Sequence, residues 1–303
     1  MNICFFNHFH NGDVLSTKEL VREFMHKIPA QYFYAHNKHP KNLIDVPNLK
    51  HINVPAGLPT SIKVAWDNET IYINTWLGAY WSNENCPFGM EIDIQDMLSY
   101  GITWKAYTKA FEYVIKVIDK LLGIKYDLQE KLELYAHRID YSAFNCQRVD
   151  KFVSGIDKKD LVMVSNGYVE AGQTLINNDM SSWLNYIAKE FPNKKLICTR
   201  KFHATSENIL FTDDIIGDRS GHDMNEISYL STFVDTIIGR NSGPFIFMHT
   251  YDNLQDKNKK FLAFGDVIGN CLPTYLKFNS EFTFVKDESE SIVLESIYSA
   301  LEN

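Results

Sequence analysis

Short apolar runs alternate with helix-period segments along the whole chain. Asn2 to Phe6 is a continuous apolar run, His8 to Asp13 are turn formers, and Ser16-Thr-Lys-Glu19 has the capping-box pattern before an apolar-periodic stretch ending near Lys27. That is the first half of a βαβ unit. Gln31 to Ala35 and Lys50 to Val54 read as the next strands, and the β-branched, aromatic run Glu69 to Trp76 as a buried strand entering a loop at Leu77-Gly-Ala-Tyr80. From Trp104 to Leu122, apolar residues at Ala106, Phe111, Val114, Ile115, Ile118 and Leu122 recur at three and four, which predicts a long amphipathic helix.

The rhythm then pauses and restarts. Lys125 to Asp160 is charge-rich, and Gly155-Ile-Asp-Lys-Lys-Asp160 is polar enough for a linker, which divides the chain into domains of residues 1–155 and 156–303. Leu161-Val-Met-Val164 and Lys195-Leu-Ile-Cys-Thr199 are buried-strand runs, with a helix expected from about Met180 to Glu190. Asp223-x-x-Glu226 predicts a capped helix through Ser231, Asp235 to Gly239 a strand, and Ser242-Gly-Pro244 a helix start with proline in its first turn. Phe282 to Val285 and Asp287 to Leu301 read as a last strand and helix. Strands and helices alternating in this way make an α/β protein with parallel sheets, and the repetition in both halves predicts two Rossmann-like domains.

Composition narrows the class. At 303 residues, 45% hydrophobic and 22% charged, the chain is an ordinary globular sequence, and its net charge of −8 speaks against nucleic acid or an anionic membrane surface as partner. No run approaches the roughly 20 apolar residues of a membrane span, and Met1 to Phe6 is too short for a signal-peptide core, so a cytoplasmic protein is expected, peripheral at a membrane at most. The five cysteines are scattered without a Cys-x-x-Cys pair, which indicates neither a zinc cluster nor a disulfide framework. Cys4 and Cys198 sit in apolar runs as small hydrophobes.

In an open parallel sheet ligands bind beyond the carboxyl ends of the strands, which selects four loops: His8 to Asp13, Ser165 to Gly172, Arg200 to His203, and Gly239 to Pro244. In the last, Asn241, Ser242 and Gly243 meet a helix start whose free N–H groups suit a diphosphate, and Arg240 adds charge; an ordinary strand-to-helix turn reads the same way. P-loop, dinucleotide, His-Glu-x-x-His and Gly-x-Ser-x-Gly patterns are absent. Asp213-Asp214 has no third ligand and reads as a surface turn.

The pairing of Asn11-Gly-Asp-Val-Leu-Ser-Thr17 with Asn241-Ser-Gly-Pro244 resembles the heptosyltransferase-type group of GT-B glycosyltransferases, over about ten literal residues but a compatible layout throughout. The resemblance implies two Rossmann-like domains facing across a cleft, an N-terminal acceptor side and a C-terminal nucleotide-sugar side. It also implies metal-independent transfer of a hexosyl or heptosyl group from a nucleoside-diphosphate donor to a glycan or glycolipid acceptor. No cofactor is called for, since the nucleotide sugar is a substrate. Asp13 takes the place of the general base, and Asn166, Gly167, Arg200, Lys201, Glu226, Arg240, Asn241, Ser242 and Gly243 line the donor side. His8, His10, Trp76 and Tyr80 fall on the acceptor side, the aromatic residues as a shelf for a sugar ring.

The pattern departs in places. Asn241 stands where the group has an acid, Phe245 where it has a histidine, and no lysine follows Ser165-Asn-Gly167, leaving Arg200, Lys201 or Arg240 to supply that charge. Asp13 could also hold its own turn, Glu226 could be a cap, and the histidines could be structural. A nucleotide-sugar epimerase, or a non-catalytic sugar- or nucleotide-binding module, remains as the alternative.

Overall fold

The computed structural model describes residues 1–39, 42–100, 104–129, 132–168, 179–217, 223–240, 243–265, 277–287 and 289–302. Its elements fall into two compact units, Met1–Asp140 and one that runs from Tyr141 to the C-terminal helix. Among the described residues no helix is long and apolar enough to cross a membrane.

The first unit contains β1 (Asn2–Asn7), α1 (Asn11–Ser16), α2 (Lys18–Lys27), β2 (Gln31–His36), β3 (Leu49–Ile52), β4 (Val64–Trp66), β5 (Thr70–Asn74), α3 (Ile94–Ser99) and α4 (Trp104–Leu122). The sheet order is β3-β2-β1-β5-β4, parallel except for the antiparallel edge strand β4, which the hydrophobic pattern does not reveal because it is three residues long. Both faces of β1 are buried, as a parallel sheet requires. Phe5 meets Phe24 of α2 edge-on at 5.6 Å, while Cys4 and Phe6 pack with Ala35 on the opposite face. Lys18 and Asp45, both fully buried, form an ion pair, and Asp45 also accepts from Arg22 at 3.2 Å and from the Asp140 N–H at 3.1 Å. The pair ties α2 to the last residues of the unit.

Helix starts at Asn11 here, earlier than the sequence pattern indicates. Asn7 Oδ1 accepts from the N–H groups of Phe9 at 2.8 Å and His10 at 3.2 Å, which closes the turn within three residues of β1. The capping box expected at Ser16 does not form. Thr17 joins α1 to α2, and its hydroxyl donates backwards to the Asp13 carbonyl at 2.8 Å.

The second unit contains α5 (Gln147–Val153), β6 (Leu161–Ser165), α6 (Ser181–Glu190), β7 (Lys195–Cys198), β8 (Ile209–Phe211), α7 (Thr212–Ile216), α8 (Met224–Ser231), β9 (Thr236–Arg240), α9 (Gly243–Phe247), α10 (Tyr251–Gln255), β10 (Lys260–Phe264), β11 (Glu281–Val285) and α11 (Glu290–Glu302). Its six strands are all parallel in the order β11-β10-β9-β6-β7-β8. Counted from β6, that is the doubly wound order 3-2-1-4-5-6, whose ligand crevice opens where the order reverses. Here the reversal lies between β6 and β9. Val162, Val164, Leu196, Cys198 and Ile238 bury one face under Trp183 and Ile187 of α6 and Val293 and Ile297 of α11. Cys4 and Cys198 are buried small hydrophobes, as expected from their apolar runs.

Candidate active site

The order of the first sheet reverses between β1 and β5, so the segments leaving those two strands meet at its carboxyl edge. β1 leads to Asp13 in the first turn of α1, and β5 leads to Trp76 and the 3₁₀ turn Leu77–Tyr80. The meeting is a bonded one. Asp13 Oδ1 accepts the hydroxyl of Tyr107, on α4, at 2.7 Å, and the Leu77 N–H at 3.4 Å. Beneath them the Tyr34 hydroxyl lies 3.0 Å from that of Thr75, which in turn donates to the Phe6 carbonyl at 3.2 Å.

Asp13 is 9% exposed, and burial pushes its carboxyl above the ordinary carboxylate range; the Tyr107 hydrogen bond, the charge of His10 and the Leu77 N–H pull the other way. Burial and the facing carboxylate raise the Tyr107 phenol well above its ordinary value, so the phenol stays a donor. Asp13 Oδ2 takes no hydrogen bond from another described residue. One oxygen is therefore held and the other is uncommitted. The turn before α1 is closed by Asn7, and the Asp13 carboxylate interacts with the N–H groups of Leu77 and of Asp13 itself.

Aromatic residues flank the carboxylate. The half-buried Trp76 indole meets the ring of Phe9 at 4.7 Å, and Phe9 is 38% exposed. The indole lies over Gly78, where a Cβ would come within 2.3 Å of it. His10 is exposed at the start of α1, and His8 Nδ1 is 2.9 Å from Asn37 Nδ2 with its ring edge-on to Phe6. Tyr80 is different: it is 1% exposed and its hydroxyl donates to the Asn74 carbonyl at 2.7 Å, a packing position.

At the carboxyl edge of the second sheet, Asn166 follows β6, beside the reversal, and Arg200 follows the neighbouring β7. Asn166 Oδ1 accepts the Arg200 N–H at 2.8 Å, and its Nδ2 donates to the Arg200 carbonyl at 2.8 Å, which ties the two loops together. The Arg200 guanidinium sits 4.1 Å from the centre of the exposed Tyr168 ring, just beyond Gly167, where a side chain would meet open space. Arg240 is 1% exposed at the carboxyl end of β9. Asp179 is held below the usual carboxylate range first by its hydrogen bonds from Ser181, then by the charges of Arg200 and Arg240. The two arginines thus act on the same region.

The remaining donor-side residues separate. Lys201 is engaged with Asp214 at 2.6 Å on an exposed surface, where Asp213 and Asp214 open α7. Glu226 is buried in the first turn of α8, and Asp223 makes no side-chain capping bond there, so the expected capping box is not formed. Gly243 begins the five-residue α9, whereas Asn241 and Ser242 lie outside the described residues. Gly239 is required by packing: a Cβ there would come within 2.6 Å of Ser165 Cβ. Cavities of about 410 and 460 Å³ line the starts of β10 and β11 in one unit and of β2 in the other, at the strand ends opposite these residues. Among the described residues no three His, Cys, Asp or Glu side chains are grouped to hold a metal.

No protein-family model matches the chain, and no curated protein matches its sequence. Its backbone is similar to the glycosyl transferase family 9 structure from Veillonella parvula, at TM-score 0.54 and 12% identity over 99% of this chain and 92% of that one. It is also similar to the ADP-heptose lps heptosyltransferase II of E. coli, at TM-score 0.52 and 9% identity over 100% and 99%. The fold is that of the GT-B heptosyltransferases.

Within this GT-B fold, Tyr107, Phe9 and Tyr168 extend the set of candidate residues read from sequence. Tyr107 had a readable signal. A phenol on the apolar face of α4 needs a hydrogen-bond partner in the core, and a buried carboxylate is the strongest acceptor available.

Proposed function

We propose that the chain is a glycosyltransferase that moves a sugar from a nucleoside-diphosphate donor to a hydroxyl of a glycan or glycolipid acceptor, the first unit receiving the acceptor and the second the donor. The observation that carries this reading is the state of Asp13: buried, raised above the ordinary range, fastened through one oxygen and uncommitted at the other. A base must lie near the pH at which it works and must not rotate away from its proton. The acceptor hydroxyl gives its proton to Oδ2 while its oxygen attacks the anomeric carbon, and the bond from that carbon to the diphosphate breaks. Arg200 and Arg240 supply positive charge toward the leaving diphosphate without a metal. Trp76 and Phe9 offer a flat apolar surface to the acceptor ring.

The similarity to the E. coli ADP-heptose lps heptosyltransferase II makes an ADP-sugar the first donor to test. Acceptor-dependent release of ADP, unchanged by EDTA and lost in Asp13→Asn, is the expected result. Donor isomerised without acceptor would replace this reading by an epimerase, and nucleotide binding with no turnover on any acceptor would reduce it to a binding module.

A further inference from the structure

We propose that Trp66 and Phe88, with the carboxylates around them, form a docking surface for a basic, arginine-bearing segment of a partner protein. The proposal is independent of the transferase reading. Trp66 ends the edge strand β4, and Phe88 lies midway along the loop of residues 83–92. The two side chains are 51% and 47% exposed, and their rings stack on each other at 5.7 Å with 27° between their planes. Paired aromatic rings facing water mark a surface that something else covers.

The surface is built rather than left over. Asn83 closes the loop, its Oδ1 accepting the Ile92 N–H at 2.8 Å and its Nδ2 donating to the Ile92 carbonyl at 3.1 Å. The chain entering β4 fastens the loop from the other side. Buried Lys63 Nζ donates to the Glu84 carbonyl at 2.6 Å, and Asn85 Nδ2 donates to Ser61 Oγ at 2.9 Å. Strand and loop are thereby one platform. Phe88 also holds a left-handed backbone with φ 57°, where the other non-glycine residues among the described ones are Asn48, Asn68 and Asn85. A bulky side chain is disfavoured in that region, yet the chain keeps there a ring that faces solvent.

Charge selects the occupant. No Lys, Arg or His falls between Val64 and Trp104, a stretch that holds six carboxylates. Asp67 and Glu69 are exposed on the turn after Trp66, and Glu84 and Glu91 in the loop that carries Phe88. The N–H groups of Thr70 and Glu69, at 2.9 and 3.2 Å, hold the Asp67 carboxyl below the usual carboxylate range, so it stays charged. An anionic membrane surface is repelled by such a patch, and two copies meeting through it would set acid against acid. An arginine answers both halves of the surface: its guanidinium plane stacks on the indole face while its N–H groups pair with carboxylates. A lysine answers only the charge.

The test is fluorescence anisotropy of the full chain with a dye-labelled peptide of alternating arginine and glycine, beside its lysine and glutamate counterparts, at about 0.15 M salt. The wild type should bind the arginine peptide several-fold more tightly than the lysine peptide and should not bind the glutamate peptide. Trp66→Ala and Phe88→Gly should each weaken binding about 5-fold. Phe88→Gly should do so without lowering Tm, because glycine accepts that backbone freely. Asp67→Lys, Glu69→Lys and Glu91→Lys together should abolish binding. Glu290→Lys, Glu295→Lys and Glu302→Lys on α11 make the same change in net charge and should leave affinity within about 3-fold. No binding of the arginine peptide by the wild type, equal losses in the two charge-reversed proteins, or unchanged affinity in Trp66→Ala and Phe88→Gly would each overturn the proposal. Binding to phosphatidylglycerol vesicles, or self-association of the wild type, that Trp66→Ala removes would overturn it in favour of a membrane or a second copy of this chain.

Discussion

At the reversal point of the first sheet, one side chain and one backbone N–H are fastened to a carboxylate: the Tyr107 hydroxyl and the Leu77 N–H both end on Asp13. At that of the second, a side chain fastens backbone, Asn166 gripping both the N–H and the carbonyl of Arg200 while the charged ends of Arg200 and Lys201 reach the surface. The same strand topology therefore carries two kinds of site. One holds a single acid in a dry setting where its proton affinity is raised. The other aligns loops and positive charge, as a bound diphosphate needs. The proposed transfer, which removes one proton and expels one diphosphate, would use both.

The comparison breaks most sharply at Asp13. Asp13→Asn should lower turnover by about 10³-fold, the middle of the range for a positioned base, while leaving donor affinity within about twofold. The same substitution should raise thermal stability. A carboxyl whose folded pKa lies above its unfolded value contributes stability at low pH and loses it as pH rises through the folded value, so at pH 7 the ionised group costs stability that the amide does not. A Tm gain of a few degrees together with lost activity marks a functional acid; a Tm loss marks a structural one.

Next in size is the second site. Asn166→Ala removes both bonds to Arg200 and should weaken nucleoside-diphosphate binding about 10-fold by titration calorimetry, with a smaller change in turnover. Tyr107→Phe should then sharpen the first site. The lost hydrogen bond raises the Asp13 pKa further, so the acid limb of the pH–rate profile should move to higher pH, with a rate loss of about 10-fold at pH 6 and less at pH 8.

The last effect bears on stability alone and lies away from both sites. His249 is enclosed by Phe245, Phe261 and Phe282, and burial lowers its pKa to about 3. The unfolded chain takes up a proton near pH 6.5 while the folded chain does so only near 3, so stability should fall as pH drops through that interval, by about 2 kcal/mol at pH 5. Denaturant titrations of wild type and His249→Phe should differ in this slope.

Long elements with strong patterns were legible in the sequence. The apolar recurrence of α4 gave Trp104 to Leu122, and the β-branched run before Trp76 gave β5. β4 and β8 are three residues each and leave no periodic trace. Helix capping was the weakest inference: the Ser16 pattern is outcompeted by bonds that no local motif contains, Asn7 to the loop and Thr17 back to Asp13, and Asp223 makes no side-chain capping bond. For the candidate site, strand ends selected loops that lie at the carboxyl edges of the two sheets, since position along a parallel sheet is set by topology. What they could not tell was how each side chain is used. Tyr80 is directed into the core and Lys201 toward Asp214, and the partner of Asp13 comes from Tyr107, 94 residues away on another element.

The most direct measurement is the Tm of the wild-type protein with UDP, GDP, ADP and CMP, each held far above its dissociation constant. A nucleotide at about 100 times that constant adds roughly 2.7 kcal/mol, several degrees for a chain of this size. The account predicts a selective rise with one nucleoside diphosphate, ADP first, that shrinks in Asn166→Ala and persists in Asp13→Asn. No rise with any of the four would contradict a donor site at the carboxyl edge of the second sheet.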